Sequence, residues 1–461
     1  MLTHLSTKLK EKIRQATHGD SPYNYAVELI LTNPNTGFKY TAKWVTGISL
    51  IRDYVNNYMD TMQVSTHLTH QELRDVLANM QDLEATVKLT PKDVTTGQLL
   101  YDYDEIVWEM LVYMEEQPDL DKLTNVSAFA DPDTNKPVTP AQANLVLPFT
   151  FNLISEKMHD IRQIGVNAIL KDVTMKDVLN WVCKQFSFDK VEIIDPKNTI
   201  TYEAIIIPPM QYIGTIFSYL QERYGVYDRG MGYYYQDDTM YIYPLYDTDN
   251  STSPIKGTIQ LVSMPPNQFE GMEVYYAQED DDYIVGAAVR ANVKALNTKG
   301  AENVATSYVS INADQVLDQF VKIDSSGKVE RTENSVTTIQ LGNSAGNTSS
   351  KMQNIKYTGQ RTNIYAATSE LAAYNGTLLT TGWLHCNPDI LKPGHSFIYH
   401  FDGQEGEYRT QQGRLLRAVY STSAVTSDGL APDLVFNCMF DVFLDPDKSG
   451  DQQVQFSDTY D

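Results

Sequence analysis

Residues 24–66 alternate apolar and polar side chains with a period of two, in three successive runs: YAVELILT, FKYTAKWVTGISLI and YMDTMQVST. Only an extended backbone sends every second side chain to the same face, so this stretch commits the chain to half-buried β-strands. Asn33-Pro34-Asn35-Thr36-Gly37 separates the first two runs with the residues of a hairpin loop. A helix then interrupts the β-region. In THQELRDVLANMQDL, Thr69 and Glu72 have capping-box spacing, and Leu73, Val76, Leu77, Met80 and Leu83 recur on one face. ATVKLT, IVWEMLVYM and LVLPFTFNLI read as further strands, with an exposed loop around Asp131 to Pro140 between the last two.

The pattern changes over residues 166–246. Thr174 and Asp177 bracket the start of a helix with Val178, Leu179, Val182, Cys183 and Phe186 on its apolar face. KVEIID is a short strand. Pro208-Pro209 is expected to open a second helix, with Tyr212, Ile213, Ile216, Phe217 and Leu220 on one side and Gly225 at its stop. YYYQDDTMYIYPLY then reads as a hairpin turning at Asp237-Asp238. This order makes a compact α/β unit. From residue 256 strands return, as GTIQLVSM, EVYYAQ and AAVRANVKAL. Residues 325–360 are poor in apolar side chains and read as a long loop. RTNIYAATSELAAYNG is a helix, followed by the strands TLLTTGWLHC, SFIYHF, LLRAVYSTSAV and LVFNCMFDVFL. Asp445 to Asp461 read as a polar, frayed tail.

Bulk properties exclude several classes. The 461 residues suffice for two to four domains. No apolar run approaches the roughly 20 residues of a membrane helix. The N-terminus lacks the apolar core of a signal peptide, and its Leu5, Leu9, Ile13 and Ala16 fall on one helical face. Three scattered cysteines point to a chain kept reduced, not to a disulfide framework. A formal charge of −23 argues against gripping nucleic acid, yet it suits a wall that DNA slides past. Thirty tyrosines suit both subunit interfaces and sheet surfaces.

The segment LHCNPDILKPGHSFIYHF holds three of the eight histidines. On a strand, His385 and Cys386 point to opposite faces, as do His395 and His400, so no local ligand pair forms. Lys392-Pro393-Gly394 reads instead as a turn, and Phe397, Tyr399 and Phe401 alternate with Ser396, Ile398 and His400 on the strand after it. His67 and His70 read as a helix start. Glu279 to Asp282 lacks the alternation and glycine of a calcium loop, and the pair Asp102 and Asp104 has no positioned acid–base partner. GNSAGNTSSK lacks the Gly-Lys-Ser/Thr of a phosphate loop, and no Gly-X-Ser-X-Gly elbow occurs. Neither a catalytic residue, a metal ligand nor a cofactor site is expected.

One arrangement is familiar. A helix over 361–374 leads into GTLLTTGWLHC, the turn Leu391-Lys392-Pro393-Gly394, a second strand carrying Phe397 and Tyr399, a strand with Ala418-Val419-Tyr420-Ser421, and a final strand. TMKDVLNWVCKQF and QYIGTIFSYLQERYG occupy the middle unit. This order resembles the central baseplate hub of contractile-tailed bacteriophages, related to late control protein D and to the hub part of the type VI secretion spike. The resemblance implies an α+β, mainly β fold: an N-terminal helix (1–20), a first tail-tube-type β-barrel with an inserted helix (21–165), an α/β domain (166–255), a second tube-type barrel (256–446) and a polar tail (447–461). It implies a non-enzymatic homotrimer in the virion baseplate, made in the host cytoplasm. Three chains of two barrels would form a ring of six, joining the tail tube or a tube-initiator protein to the spike, with baseplate wedge proteins as further neighbours and DNA only in transit. In this reading Leu391, Pro393, Gly394, Phe397 and Tyr399 are structural. Two other readings stay open: a tail-tip cell-wall hydrolase, and a tip or adhesin protein of a non-contractile tail.

Overall fold

A computed structural model of the chain describes residues 5–17, 23–93, 96, 98–100, 105–113, 146–264, 276–279, 281–288, 292–295, 306–311, 322–323, 329–330, 336–341, 365, 369, 372–373, 376–403, 406–425 and 433–445. The fold is mainly β. The first helix, α1 (Thr7–Thr17), buries Leu9, Ile13 and Ala16. Strands β1 (Tyr23–Asn33), β2 (Phe38–Ala42), β3 (Val45–Asp53) and β4 (Thr61–Thr69) follow. Then come α2 (His70–Ala78), β5 (Glu84–Asp93), β6 (Ile106–Val112), β7 (Val146–Ser155) and the short helix α3 (Glu156–Ile161). In β4, and in β3 from Ile48 onward, the buried positions fall two apart, so the sequence alternation is the inside–outside alternation of a barrel wall. The capping box at Thr69 and Glu72 is formed: Glu72 N donates to Thr69 Oγ1 and Thr69 N donates to Glu72 Oε2.

The α/β domain contains β8 (Val166–Val173), α4 (Met175–Gln185), β9 (Lys190–Ile193), β10 (Tyr202–Gln211), α5 (Ile213–Arg223), β11 (Met231–Gln236) and β12 (Thr239–Pro244). Its core is separate. Val178, Leu179, Val182, Ile216, Phe217 and Leu220 of the two helices pack with Ile205 and Ile207 of β10 and Met240 and Ile242 of β12. The helix expected to begin at Pro208-Pro209 begins later, at Ile213. The two prolines lie inside β10, where the register with β8 shifts between Ile207 and Gln211 and Met210 takes φ +63°. A bulge tolerates residues without an N–H, so the sheet absorbs them. Asp237 and Asp238 both have positive φ, at 49° and 58°, as a two-residue hairpin turn requires.

The remaining strands are β13 (Thr258–Met264), β14 (Tyr276–Glu279), β15 (Asp282–Ala288), β16 (Asn292–Ala295), β17 (Thr306–Ile311), β18 (Lys322–Ile323), β19 (Val329–Glu330), β20 (Val336–Leu341), β21 (Thr377–Trp383), β22 (Ser396–Asp402), β23 (Tyr408–Ala424) and β24 (Leu434–Leu444). Of AAVRANVKAL, Ala287 and Ala288 end β15 and Asn292–Ala295 form β16, while 289–291 lie outside the described residues. The strand expected through His385 and Cys386 stops at Trp383, because His385 takes φ +57° and turns the chain. β17 pairs with β20, and β18 with β19, in two small sheets. The loop around Asp131 to Pro140, the pair Asp102 and Asp104, GNSAGNTSSK and the tail from 446 lie outside the described residues. So does most of 325–360, but its described part is strand and not the expected loop, because β19 and β20 pair with β18 and β17. Of the helix over 361–374, Tyr365, Ser369, Ala372 and Ala373 are described, and all four are helical.

Two β-barrels emerge from the pairing. The first closes as β3–β4–β7–β6–β5–β1–β24–β23 and back to β3. The second runs β15–β13–β22–β23–β24–β21, with β21 returning alongside β15. Strands β23 and β24 therefore belong to both. The 17 residues of β23 pair with β22 over Tyr408–Arg414 and with β3 over Arg417–Ser421. A bulge between Leu415 and Arg417 marks the crossing from one barrel to the other. One apolar core runs through both barrels, from Leu29 and Val64 to Ile259 and Leu391.

Gly257, on the link from the α/β domain into β13, has φ +82°, and a Cβ there would lie 1.8 Å from the carbonyl oxygen of Asp281. Gly257→Ala is expected to lower stability by about 3 kcal/mol, through left-handed strain and displacement of Asp281. A urea unfolding midpoint unchanged from that of the parent would contradict this.

Candidate functional site

The α/β domain and the two barrels meet at a polar joint built by two arginines on inward-facing strand positions. Arg414 lies in β23 and is fully buried. Its guanidinium uses the whole fork. Nε donates to Asp247 O at 2.6 Å. Nη1 donates to Gly394 O at 2.6 Å and Ser396 Oγ at 3.0 Å. Nη2 donates to Asp249 O at 2.8 Å and Thr252 Oγ1 at 2.9 Å. A planar five-donor group meets so many fixed acceptors at little extra entropy. Burial pulls its pKa down to about 10, with the charges of Asp247 and Asp249 opposing, so it stays protonated at neutral pH. One side chain thus ties the exit of the α/β domain to the turn before β22.

Arg52, at the end of β3, is also fully buried. Its Nε lies 3.1 Å from Asp60 Oδ2, its Nη1 donates to Pro388 O at 2.6 Å, and its guanidinium carbon sits 5.5 Å from the Tyr420 ring centre. Asp60 also accepts from Tyr234 OH at 2.9 Å, a residue of β11. Burial pushes the Asp60 carboxyl up, against the pull of Arg52. On the other side of the hairpin turn, Lys392 Nζ bridges Asp237 Oδ2 and Asp389 Oδ1, at 2.5 and 2.6 Å. Partial burial works against the Asp237 charge, but Lys392 and Arg52 outweigh it and hold the carboxyl below its usual range. Apolar packing completes the joint: Tyr241, Tyr243 and Leu245 meet Leu416 and Phe443.

The residues expected to shape the turn fall within this joint. Leu391 is fully buried, and its carbonyl accepts from Arg52 Nη1 at 3.4 Å and Gln236 Nε2 at 3.5 Å. Pro393 is buried. Gly394 has φ +69°, and a Cβ there would lie 2.8 Å from Pro254 and 2.9 Å from Tyr243. Phe397 points into the shared core with its ring 5.6 Å from Phe440, and Tyr399 stacks on Phe401 at 4.9 Å. Arg52 and Arg414 escaped the sequence reading. Their signal was a charged residue at an inward position of an alternating run, as in Ile48, Leu50, Arg52.

The histidines of this stretch are dispersed. His385 lies at the turn after β21, while His395 and His400 are buried, 2% and 5% exposed. Burial, then the charges of Arg414 and Lys392, lowers the His395 pKa to about 3. Burial, then Lys12, lowers that of His400 to about 4, and its Nδ1 lies 2.5 Å from Tyr408 OH. His67 lies in β4 and His70 begins α2. Cys386 and Cys438 are buried and unbonded, with Cys386 N donating to Phe436 O at 2.8 Å. Among the described residues, no group of three or more His, Cys, Asp or Glu could hold a metal, and no helix is long and apolar enough to cross a membrane.

Over residues 20–284, more than half its length, the chain matches the bacteriophage PBS1 gene 109 protein family. No curated protein matches it. Among solved structures it is similar to a tail protein from Neisseria meningitidis MC58, at 11% identity, covering 93% of this chain and 98% of that one, with a TM-score of 0.42. It is also similar to the 43 kDa tail protein of prophage MuSo2 from Shewanella oneidensis, at 11% identity, 90% and 97% coverage and a TM-score of 0.40. A third similar structure is a Francisella PdpA-VgrG complex, at 7% identity, 95% and 61% coverage and a TM-score of 0.44.

Proposed function

The chain belongs to the bacteriophage PBS1 gene 109 protein family, and from that premise we propose that it is a non-enzymatic structural protein of the virion tail, a trimeric baseplate hub that joins the tail tube to the central spike. The observation that carries this reading is the pair of barrels with two strands in common. A body of that kind presents two barrel walls at a fixed spacing, so three copies supply six barrels. Such a ring can match sixfold symmetry on one side and threefold on the other. The buried arginine joint favours the same role, because it holds the α/β domain against the barrels.

The net charge of −23 favours a conduit. A negative channel wall repels the phosphate backbone, so DNA passes without being retained. Partners in this reading are two further copies, the spike protein, the tube or a tube-initiator protein, and baseplate wedge proteins.

Light scattering on the purified chain, with and without its spike, tests the proposal. The expected mass is three times 52.1 kDa, and the particle should image as a six-lobed ring with a bore. A chain that stays monomeric at high concentration in both conditions would overturn it.

A further inference from the structure

The two-stranded ribbon of the α/β domain has one protected edge and one bare edge. Strands β8 and β10 pair antiparallel, with Ile169 opposite Ile206. The backbone of Ile206 is engaged away from β8: its N–H donates to Tyr224 OH at 2.8 Å, and its carbonyl accepts from Tyr219 OH at 2.9 Å and Tyr224 OH at 3.1 Å. Ile206 and Ile169 are therefore a non-hydrogen-bonded pair, and the N–H and C=O of Ile169 also point away from the ladder. Lys171, opposite Ala204, repeats that geometry. Among the described residues nothing pairs with this outer edge of β8.

On the bare edge itself Ile169 is 67% exposed, and one strand further in, on β10, Ile206 is 53% and Met210 72% exposed. Natural sheets blunt an open edge with charge, proline or a cover. β2, another edge strand, follows that rule, with Lys39 and Thr41 at its exposed positions. The β10 edge follows it with tyrosine hydroxyls. The β8 edge carries charge at Lys171 and Asp172 and departs from the rule at Ile169 alone.

We propose that β8 is a strand-addition site that receives an extended segment of a different tail protein, making the ribbon three-stranded. Unpaired main-chain donors and acceptors in a row recognise another extended main chain. Ile169 favours an apolar side chain opposite it on the incoming strand, and Lys171 favours a carboxylate two positions from it. Self-association is disfavoured by two features. The capped edge of β10 blocks a head-to-tail ribbon of copies. Pairing of β8 with β8 is twofold, which a threefold ring does not contain. The choice of a different protein over a second copy thus rests on the trimeric reading.

The test compares the isolated full-length chain with purified particles. Hydrogen exchange at the amides of Ile169 and Lys171 is expected to slow by about 100-fold or more in particles, as it does for amides that enter a ladder. A benzoylphenylalanine at position 171 should crosslink, in particles, to a peptide of another virion protein. Ile169→Pro removes the outward N–H and breaks no ladder hydrogen bond to β10, while also fixing φ at position 169. It should cut infectious titre by about tenfold or more, while the urea midpoint of the isolated chain stays close to that of Ile169→Val. Fast exchange at both amides in particles overturns the proposal, even if Ile169→Pro fails to fold. So does a crosslink to a second copy or to another segment of the same chain. A trimer with an unprotected β8 defeats this inference alone, whereas a β8 protected by and crosslinked to another virion protein in a non-trimeric hub defeats only the trimeric reading.

Discussion

Replacing Arg414 with methionine is expected to destabilise the folded chain by about 4 kcal/mol, since one buried guanidinium serves five acceptors at once. The carbonyl of Asp247 and the hydroxyls of Ser396 and Thr252 lose their donor, while the carbonyls of Gly394 and Asp249 lose one donor and keep Ser253 Oγ and Thr252 respectively. These groups come from the α/β exit and from the turn before β22, so no single rotation can find them a replacement. Arg414→Lys keeps the charge but not the planar fork, and should fall between the parent and methionine. Urea denaturation measures both. A methionine variant within about 1 kcal/mol of the parent would mean that the acceptors find water, and that the joint does not depend on the guanidinium.

Acid should unfold the protein through His395 and His400. Both have folded pKa values, about 3 and about 4, below the ordinary 6.5. Between those limits the unfolded chain binds protons that the folded chain refuses, so stability falls as pH drops below about 6.5 and continues to fall toward pH 3. The His395 shift alone corresponds to a loss on the order of 5 kcal/mol across that window. The groups around it strengthen the effect: Arg414 and Lys392 repel an imidazolium, and Asp282 offsets only part of that. His395→Phe should flatten the pH dependence of the unfolding free energy between pH 6.5 and 4, and an unchanged slope would show that other groups carry it.

Local chemistry made the elements legible. Thr69 with Glu72 and Thr174 with Asp177 marked two helix starts, because a hydroxyl and a carboxylate three residues apart satisfy each other's backbone. Asp237-Asp238 marked a hairpin for a similar reason: few residues accept positive φ twice in succession. Pro208-Pro209 misled, since a missing N–H is compatible with a helix start and with a strand bulge alike. The partnership of Tyr25 with Leu434, or of Leu50 with Tyr420, could not be read at all. Pairings across more than 350 residues leave no local spacing. The joint was half legible: its turn showed in Pro393 and Gly394, while Arg52 and Arg414 were hidden by a habit of reading arginine as surface.

The double use of β23 and β24 bears on how the chain is made. On the ribosome, β1 to β7 emerge well before β23 and β24, so their barrel lacks two staves until those strands are translated. At ordinary elongation speeds the roughly 250 residues between β7 and β23 take some tens of seconds. Throughout that interval β1 and β3 are open edges on a nascent chain, in a crowded cell, where other strands can pair with them. Closure then needs contacts between strands more than 350 residues apart, and pairings of such long range form slowly. A protein so connected gains a single indivisible body, and in exchange its first barrel carries open edges for the longest part of its synthesis.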